Sequence, residues 1–564
     1  MSDVRKVALG WALACAVAST AWIVSSATQL GATFDEPVYV TAGLDRWRHG
    51  GLSGLMRLGT MPLAVDVVSL PVWLAERTRG APFQLASDDR GRVVDARDLA
   101  RVLPLARAGT LIFWWLLLFT TWRLAITVAG PLGAAFAVTW VATEPSLLAH
   151  AALATTDIAL TALLTGFAVS WLARRAEHDG HGVPQSREWC HWLVPGVWFG
   201  LAILAKASAI VFAPVIAVAF AWWRRESDWR NVVRRFARAS AVAMAIAFVY
   251  CGSDWRTEET FVAWARTWPE GNVATTMIAI AEHLPVFSNA GEGLVQQIKH
   301  NIRGHDTYLL GEVHARAVWF YFPVVLLIKL NGALLVGLVA AVVLARPALW
   351  NPPFLAAVAL LALSPFFRVQ TGIRMVLPLV ALGLVGVAAA FATTIESAGR
   401  RRTALALVVG LLTAWSAVTA GRSWPDAIAF SNEFFGGPSS AYRLVSDSNY
   451  DWGQGVPALR RHLAGATQPI DLWYWGTDPE ARTAPFRLFD LRSEAPGDEA
   501  VLLSRLEGRT LAVSATLLYG SAVSPHARIA DEDRLAVETA ETLRRVLRDR
   551  PPPEKVGTFF VYRF

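Results

Sequence analysis

The chain has 564 residues, 54% of them hydrophobic and only 17% charged, with a mean hydropathy of +0.38, values of a polytopic membrane protein rather than a soluble one. A formal charge of +7 is small for this length and argues against a nucleic-acid partner. The three cysteines, Cys15, Cys190 and Cys251, give no disulfide framework.

About 20 apolar residues cross a bilayer. Spans are expected near 7–27, 103–121, 126–143, 155–173, 193–205, 209–223, 238–252, 317–345, 353–367, 375–393 and 403–421, about eleven in all. The first resembles a signal peptide, but its length and the spans that follow read as an uncleaved helix. The stretch 317–345 is interrupted by Lys329 and Asn331, and two short helices there would reverse every later segment. The positive-inside rule favours one span. It then places Arg174, Arg175 and Arg187, the arginines from Arg224 to Arg238, and Arg400–Arg402 on the side of the N-terminus, in the cytoplasm. Lys206, Arg368 and Arg374 fall on the outer face, with the C-terminus.

Three extracytoplasmic segments are large. Residues 28–102 form the first outer loop, where Leu63, Val67, Leu70 and Leu74 recur at helical spacing and predict an amphipathic helix lying on the membrane. Residues 253–316 form the second. Residues 422–564 form a tail. Strand character at 470–475, 510–518 and 557–564, a helix over 531–549 and a break at Pro551-Pro552-Pro553 predict a small α/β domain there. The expected architecture is a transmembrane part, 1–421, and an extracytoplasmic part, 422–564.

Several polar residues carry chemical promise. Asp35 and Glu36 follow the first span within Phe-Asp-Glu-Pro-Val-Tyr. A carboxylate at an apolar surface is a stronger base, as a general base needs; the same two residues would also cap a helix starting at Pro37. Asp157 falls on the same face, in a short outer loop with His150, itself either a packed, hydrogen-bonded histidine or a substrate-loop residue. Asp157 is either a second site carboxylate or the N-cap of the next helix. The two aspartates would share a divalent ion only on approach to within about 4–5 Å. Lys206, Arg368 and Arg374 oppose the charge bias, so they need a local reason: an anionic phosphate, or snorkelling to headgroups. His305 and Tyr308 lie in Gly304–Glu312, which either orders over the site or is a solvated turn.

Together these segments resemble the GT-C glycosyltransferases of the protein O-mannosyltransferase and bacterial aminoarabinose-transferase type. The matching features are Phe34–Tyr39, Trp47–Gly50, Met61-Pro62-Leu63, the loop from Ala149-His150 to Thr156-Asp157, Gly200–Lys206, and Gly372-Ile373-Arg374 to Leu377-Pro378. The resemblance covers roughly residues 1–420. Phe430–Pro438, Ser446–Gln454 and Gly304–Glu312 are similar to segments of a bacterial subgroup. The resemblance implies a GT-C membrane fold and transfer of a sugar from a polyprenyl-phosphate donor to an acceptor outside the cytoplasmic membrane, with inversion. It implies Asp35 as general base, Glu36 orienting the loop or acceptor, and Asp157 shaping the acceptor site. Lys206 and Arg374, with Arg368, would hold the donor phosphate. A divalent cation is compatible with the two aspartates but not required. A transporter or flippase of lipid-linked glycans is one competing class, and it would need more polar residues deep in the spans than the sequence supplies; a non-catalytic assembly or scaffold protein is the other.

Overall fold

A computed structural model describes residues 3–88, 92–173, 189–257, 259–283, 285–466, 468–491, 498–520, 531–550 and 553–564. Arg174, Arg175, Arg187 and the Pro551-Pro552 break lie outside the described residues.

The apolar runs of bilayer length fold as helices because a helix satisfies its backbone polar groups within its own segment in a lipid environment. Helix α1 (Asp3–Ala27) leads into the helices α2 (Glu36–His49), α3 (Ser53–Arg57) and α4 (Pro62–Arg79) of the long 28–102 segment. The two short strands β1 (Ala86–Ser87) and β2 (Val93–Asp95) close that segment. Helix α4 buries Val65, Val68 and Val72, whereas Leu63, Val67 and Leu70 are half-exposed and Leu74 is exposed. The expected stripe is therefore the outward face, and the valine stripe beside it is the packed one.

Helix α5 (Leu99–Ala142) covers two expected spans. It continues through Arg123 and breaks at Ala129-Gly130, where Gly130 has φ +67 and Pro131 follows. The turn expected between 121 and 126 is thus displaced, because the Gly-Pro pair, not the arginine, interrupts the helix. Helices α6 (Pro145–Ala151), α7 (Asp157–Leu172), α8 (Cys190–Ala205), α9 (Ala209–Trp223) and α10 (Trp229–Cys251) follow.

The 253–316 segment holds α11 (Glu259–Ala265), α12 (Asn272–His283), α13 (Ala290–Arg303) and a hairpin of β3 (Thr307–Leu309) and β4 (Glu312–His314). Leu310 and Gly311 turn that hairpin with φ of +54 and +91, the two left-handed residues of a type I′ turn.

Helices α14 (Tyr321–Lys329) and α15 (Gly332–Leu344) replace the continuous span expected over 317–345; they meet at 111°. Asn331 causes the break by accepting a hydrogen bond from Ala333 N and capping α15. Lys329 is buried. Its Nζ donates to the carbonyls of Ile428 and Asn449 at 2.7 Å each, and to that of Phe430. Helices α16 (Pro352–Leu363), α17 (Leu377–Ser397) and α18 (Arg402–Arg422) complete the set.

Among the described residues, four helices are long and apolar enough to cross a membrane, or five if the bent pair counts as one; α7, α8, α9 and the Pro352–Phe366 segment are apolar but shorter. Val17, Val343 and Leu411 are more than 70% exposed. Apolar surface on this scale is stable only against lipid or another protein.

The tail contains a sheet of five strands in the order β6-β5-β7-β9-β8: β5 (Ile470–Trp473), β6 (Phe486–Leu488), β7 (Thr510–Ser514), β8 (Glu554–Val556) and β9 (Phe559–Arg563). Strand β5 is parallel to β6 and β7, and β9 is antiparallel to β7 and β8. The strand expected over 510–518 stops at Ser514, and Ala515–Tyr519 is helical. The Asp531–Asp549 helix buries Leu543 and Val546. Residues 428–455, ahead of the sheet, lie against the helices and the 28–102 segment, which is what brings the tail to the site.

Candidate active site

Helix α2 begins where Pro37 presets the first-turn dihedral. Asp35 occupies its N-cap position but makes no side-chain cap. Its Oδ2 instead accepts from Arg374 Nη1 at 2.7 Å and from Tyr39 Oη at 3.4 Å. Asp157 opens α7 without capping it; it is wholly buried, and its Oδ1 accepts from Lys206 Nζ at 2.6 Å. Asp157 Oδ2 lies 3.9 Å from Arg374 Nη1. Two aspartates and two cations thus form one chain of charge: Asp35, Arg374, Asp157, Lys206.

Lys206 reaches this position because α8 ends at Ala205 and Lys206 is extended, with φ −161 and ψ 129. Arg374 follows Gly372, whose φ of +142 suits glycine and whose missing Cβ leaves room for Ser448 Oγ.

The cluster lies at one end of a cavity of about 670 Å³. Asp35, Tyr39, Lys206 and Arg374 form the charged end, and Val211, Phe212, Leu363, Phe366 and Phe367 an apolar wall. Helix α13 adds Leu294, Gln297, Ile298 and Asn301 at i, i+3, i+4 and i+7, together with His300. Arg374 uses one guanidinium hydrogen on Asp35, while its buried Nε has no hydrogen-bond partner. Burial, with the charge of Asp35 next, raises the Tyr39 phenol well above its usual range, so Tyr39 stays a neutral donor.

Glu36 does not reach the cavity. It is fully buried, and Arg107 of α5 donates to it from Nε and Nη2 at 2.8 and 2.7 Å. Thr33 N and Oγ1 and Ala154 N donate to it as well. Arg107 uses its remaining hydrogens on the carbonyls of Ala27, Leu30 and Gly31. Burial works against the Glu36 charge, but Arg107 and these donors outweigh it and hold the carboxyl below its ordinary range. Glu36 therefore fixes the Thr33–Asp35 loop to α5 and to the loop before Asp157, and its carboxylate does not line the cavity.

Four other expected residues make no hydrogen bond to Asp35, Asp157, Lys206 or Arg374. Arg368 is exposed, and its backbone N and guanidinium bond Asn301 Oδ1 and Ile302 O. Tyr308 is buried and donates to Arg443 O at 3.0 Å, so the β3–β4 hairpin docks on the tail rather than over the cavity. His150 is buried edge-on to Trp452, 6.1 Å between ring centres. Burial pushes it down to about 4, leaving a neutral packed ring. His305 is exposed and pairs through Nε2 with Nε2 of His300, which does line the cavity.

Residues 446–454, whose role the sequence leaves open, tie the site together. The Trp452 ring stacks under the Arg374 guanidinium at 4.2 Å, Asn449 Oδ1 accepts from Ile373 N at 2.9 Å, and Ser448 Oγ bonds Thr371 O. From the other side, Trp452 O accepts from Phe34 N and Gln454 O from Gly31 N. Trp475 stacks on Phe34 at 5.4 Å, and Asp478 Oδ2 accepts from Ala32 N. A cation inside an apolar run is the signal that pointed to Lys206 and Arg374; Arg107 carries the same signal. Nothing local marks Trp452 or the face of α13.

A divalent ion does not fit this donor set. The two aspartates are bonded to Lys206 and Arg374, and no group of three or more His, Cys, Asp or Glu side chains converges among the described residues.

No family model matches the chain, and no curated protein matches it. Among solved structures it is similar to the oligosaccharyltransferase AglB from Archaeoglobus fulgidus in complex with an inhibitory peptide and a dolichol-phosphate, at 12% identity and a TM-score of 0.48, over 91% of this chain and 72% of that one. It is similar to ArnT from Cupriavidus metallidurans in the apo state, at 12% identity and a TM-score of 0.48 over 98% of both chains. The undecaprenyl phosphate-bound form of ArnT matches at 13% identity and a TM-score of 0.47, over 98% and 97%.

Proposed function

We propose that this protein is a membrane glycosyltransferase that moves a sugar from a polyprenyl-phosphate donor to an acceptor at the outer face of the cytoplasmic membrane. The observation that carries the reading is the cavity: two cations at one end and an apolar wall beside them, the two halves of an amphiphile with an anionic head. The arginine bias puts the N-terminus in the cytoplasm; because Arg374, beyond the bent pair α14–α15, meets Asp35 and Asp157 in one cluster, we read that pair as one broken span, which leaves the cavity and tail outside.

In this reading Arg374 and Lys206 receive the donor phosphate. Arg374 has the free hydrogens to grip it. The acceptor O–H or N–H attacks the anomeric carbon as the bond from that carbon to the phosphate oxygen breaks. The acceptor's proton passes to Asp35, and the electron pair leaves on polyprenyl phosphate, where the cations stabilise the new charge. One displacement inverts the anomeric centre. The Asp35–Arg374 bond couples the halves: a phosphate seated on Arg374 competes for the guanidinium and frees Asp35 Oδ2 to take the proton. The acceptor's identity is not set by these residues.

The test is sugar transfer by the purified protein in lipid nanodiscs with undecaprenyl-phosphate-linked sugars, alongside mass spectrometry of glycoproteins, lipids and wall glycans from a deletion strain. A sugar linkage missing from the deletion strain and restored by the native protein, but not by Asp35→Asn, supports the reading. An unchanged glycan inventory overturns it.

A further inference from the structure

The face that α13 turns to the cavity is more ordered than a solvated wall. Gln297 and Asn301 lie one turn apart, with His300 beside them. Each uses one polar atom to fix its orientation. Gln297 Nε2 donates to Gly59 O at 2.7 Å; Asn301 Oδ1 accepts from Arg368 N at 3.0 Å; His300 Nε2 pairs with His305 Nε2 at 2.6 Å. These bonds settle which amide atom is which. They leave Gln297 Oε1 as an acceptor, Asn301 Nδ2 as a donor, and His300 Nδ1. Burial, then the neighbouring His305, pushes His300 down to about 4, so it adds no charge near neutrality.

Asp35 is the only carboxylate among the described residues lining the cavity, and Arg374 holds it. Asp157 is held by Lys206 and Glu36 by Arg107. Hydroxyls entering here find a fixed acceptor and a fixed donor on α13, the pattern that a diol satisfies in both directions, whereas an ammonium group only donates and leaves Asn301 Nδ2 unanswered; the one lining acid, Asp35, serves the acceptor's proton in the proposed transfer.

From the alternation of fixed donor and acceptor beside the charged end, we infer that Gln297, His300 and Asn301 form a subsite for the transferred group, and that this group is a neutral, hydroxyl-rich sugar rather than a cationic amino sugar. The inference rests on the proposed glycosyl transfer and goes further, because it names the class of sugar. Gln297 and His300 are half-buried and Asn301 is exposed; side chains anchored by their own bonds select by geometry without losing conformational freedom on binding.

Affinities in nanodiscs for three probes test it: undecaprenyl phosphate, an undecaprenyl-phosphate-linked hexose, and its amino-sugar counterpart. The native protein should bind the hexose lipid about tenfold or more tighter than the amino-sugar lipid. Gln297→Leu should weaken the hexose lipid about five- to tenfold, the loss of one hydrogen bond, with little change for the bare lipid. Asn301→Asp keeps the oxygen that anchors Arg368 N but replaces the donor with a carboxylate. It should narrow or reverse the preference, and it remains informative should Gln297→Leu fail to fold. Native affinity for the amino-sugar lipid equal to or above that for the hexose lipid overturns the subsite. So does an equal loss for bare and glycosylated lipid in Gln297→Leu, or an unmoved preference in Asn301→Asp. Binding of bare lipid with no gain from the hexose sinks the subsite alone; binding of none of the three sinks the transferase reading along with it.

Discussion

Arg374 Nη1 donates to Asp35 Oδ2 at 2.7 Å across 339 positions of sequence. The residue expected to grip phosphate and the residue expected to take a proton are therefore bonded partners before any substrate arrives. Each of them is read differently because of the other.

Asp35→Asn should leave the fold intact, since Asp35 caps no helix and Glu36 carries the anchoring of the loop. Transfer should fall by about 10²–10⁴-fold, the usual contribution of a general base, while affinity for undecaprenyl phosphate stays the same or rises as Arg374 is released. Turnover and lipid binding measured on one preparation separate the two effects. Retention of turnover removes Asp35 as the base.

Arg374→Lys should be nearly as damaging as Arg374→Ala for donor binding. Lysine keeps the charge but loses the planar fork and the stacking on Trp452. A loss of about tenfold or more in lipid affinity is expected for both. A fully active lysine variant would reduce Arg374 to a point charge.

Trp452 lies in the tail, yet its ring supports Arg374 and its carbonyl holds Phe34. Trp452→Ala should loosen both the 31–36 and 371–376 loops, seen as faster amide hydrogen exchange there and not in β7. Trp452→Phe keeps an aromatic face and should recover most of the protection, because the cation–π contact contributes about 0.5–2 kcal/mol. Equal exchange in both variants would mean that the ring does not couple the loops.

Glu36 and Arg107 form a buried pair with its hydrogen bonds satisfied. Removing one partner, as in Glu36→Ala or Arg107→Ala, should destabilise by about 3–5 kcal/mol by leaving a buried charge alone, while replacing both with methionine should cost less. The sign of the pH effect follows from the lowered carboxyl. Its stabilisation is complete above the unfolded value of about 4.5 and is lost as pH falls through the lower folded value. Denaturant midpoints of native protein and Glu36→Gln should therefore converge in acid; midpoints that stay parallel would exclude Glu36 as the group responsible.

Much of this was legible in the chain itself. Apolar runs of bilayer length must become helices, so α1, α17 and α18 follow from composition. A cation in an apolar run must have a partner, so Lys206 and Arg374 stood out before any partner was visible. Strands β5, β7 and β9 follow from β-branched and aromatic runs between turn residues. The break in α5 was legible too, but as Gly130-Pro131 rather than Arg123.

What tertiary structure decided was which charge meets which. Asp35 and Glu36 are adjacent and chemically equivalent, and sequence offers both as site carboxylates. Successive residues at a helix start point in different directions. The single-residue step at the start of α2 therefore sends Asp35 to Arg374 at the cavity and Glu36 to Arg107 in the packed interior. Arg368 and Arg374 look alike in sequence and separate for the same kind of reason, one meeting the backbone of α13 and the other Asp35 and Trp452. Composition fixes that charges in an apolar chain must be paired. The pairing itself depends on contacts between residues hundreds of positions apart, which only the packed fold brings together.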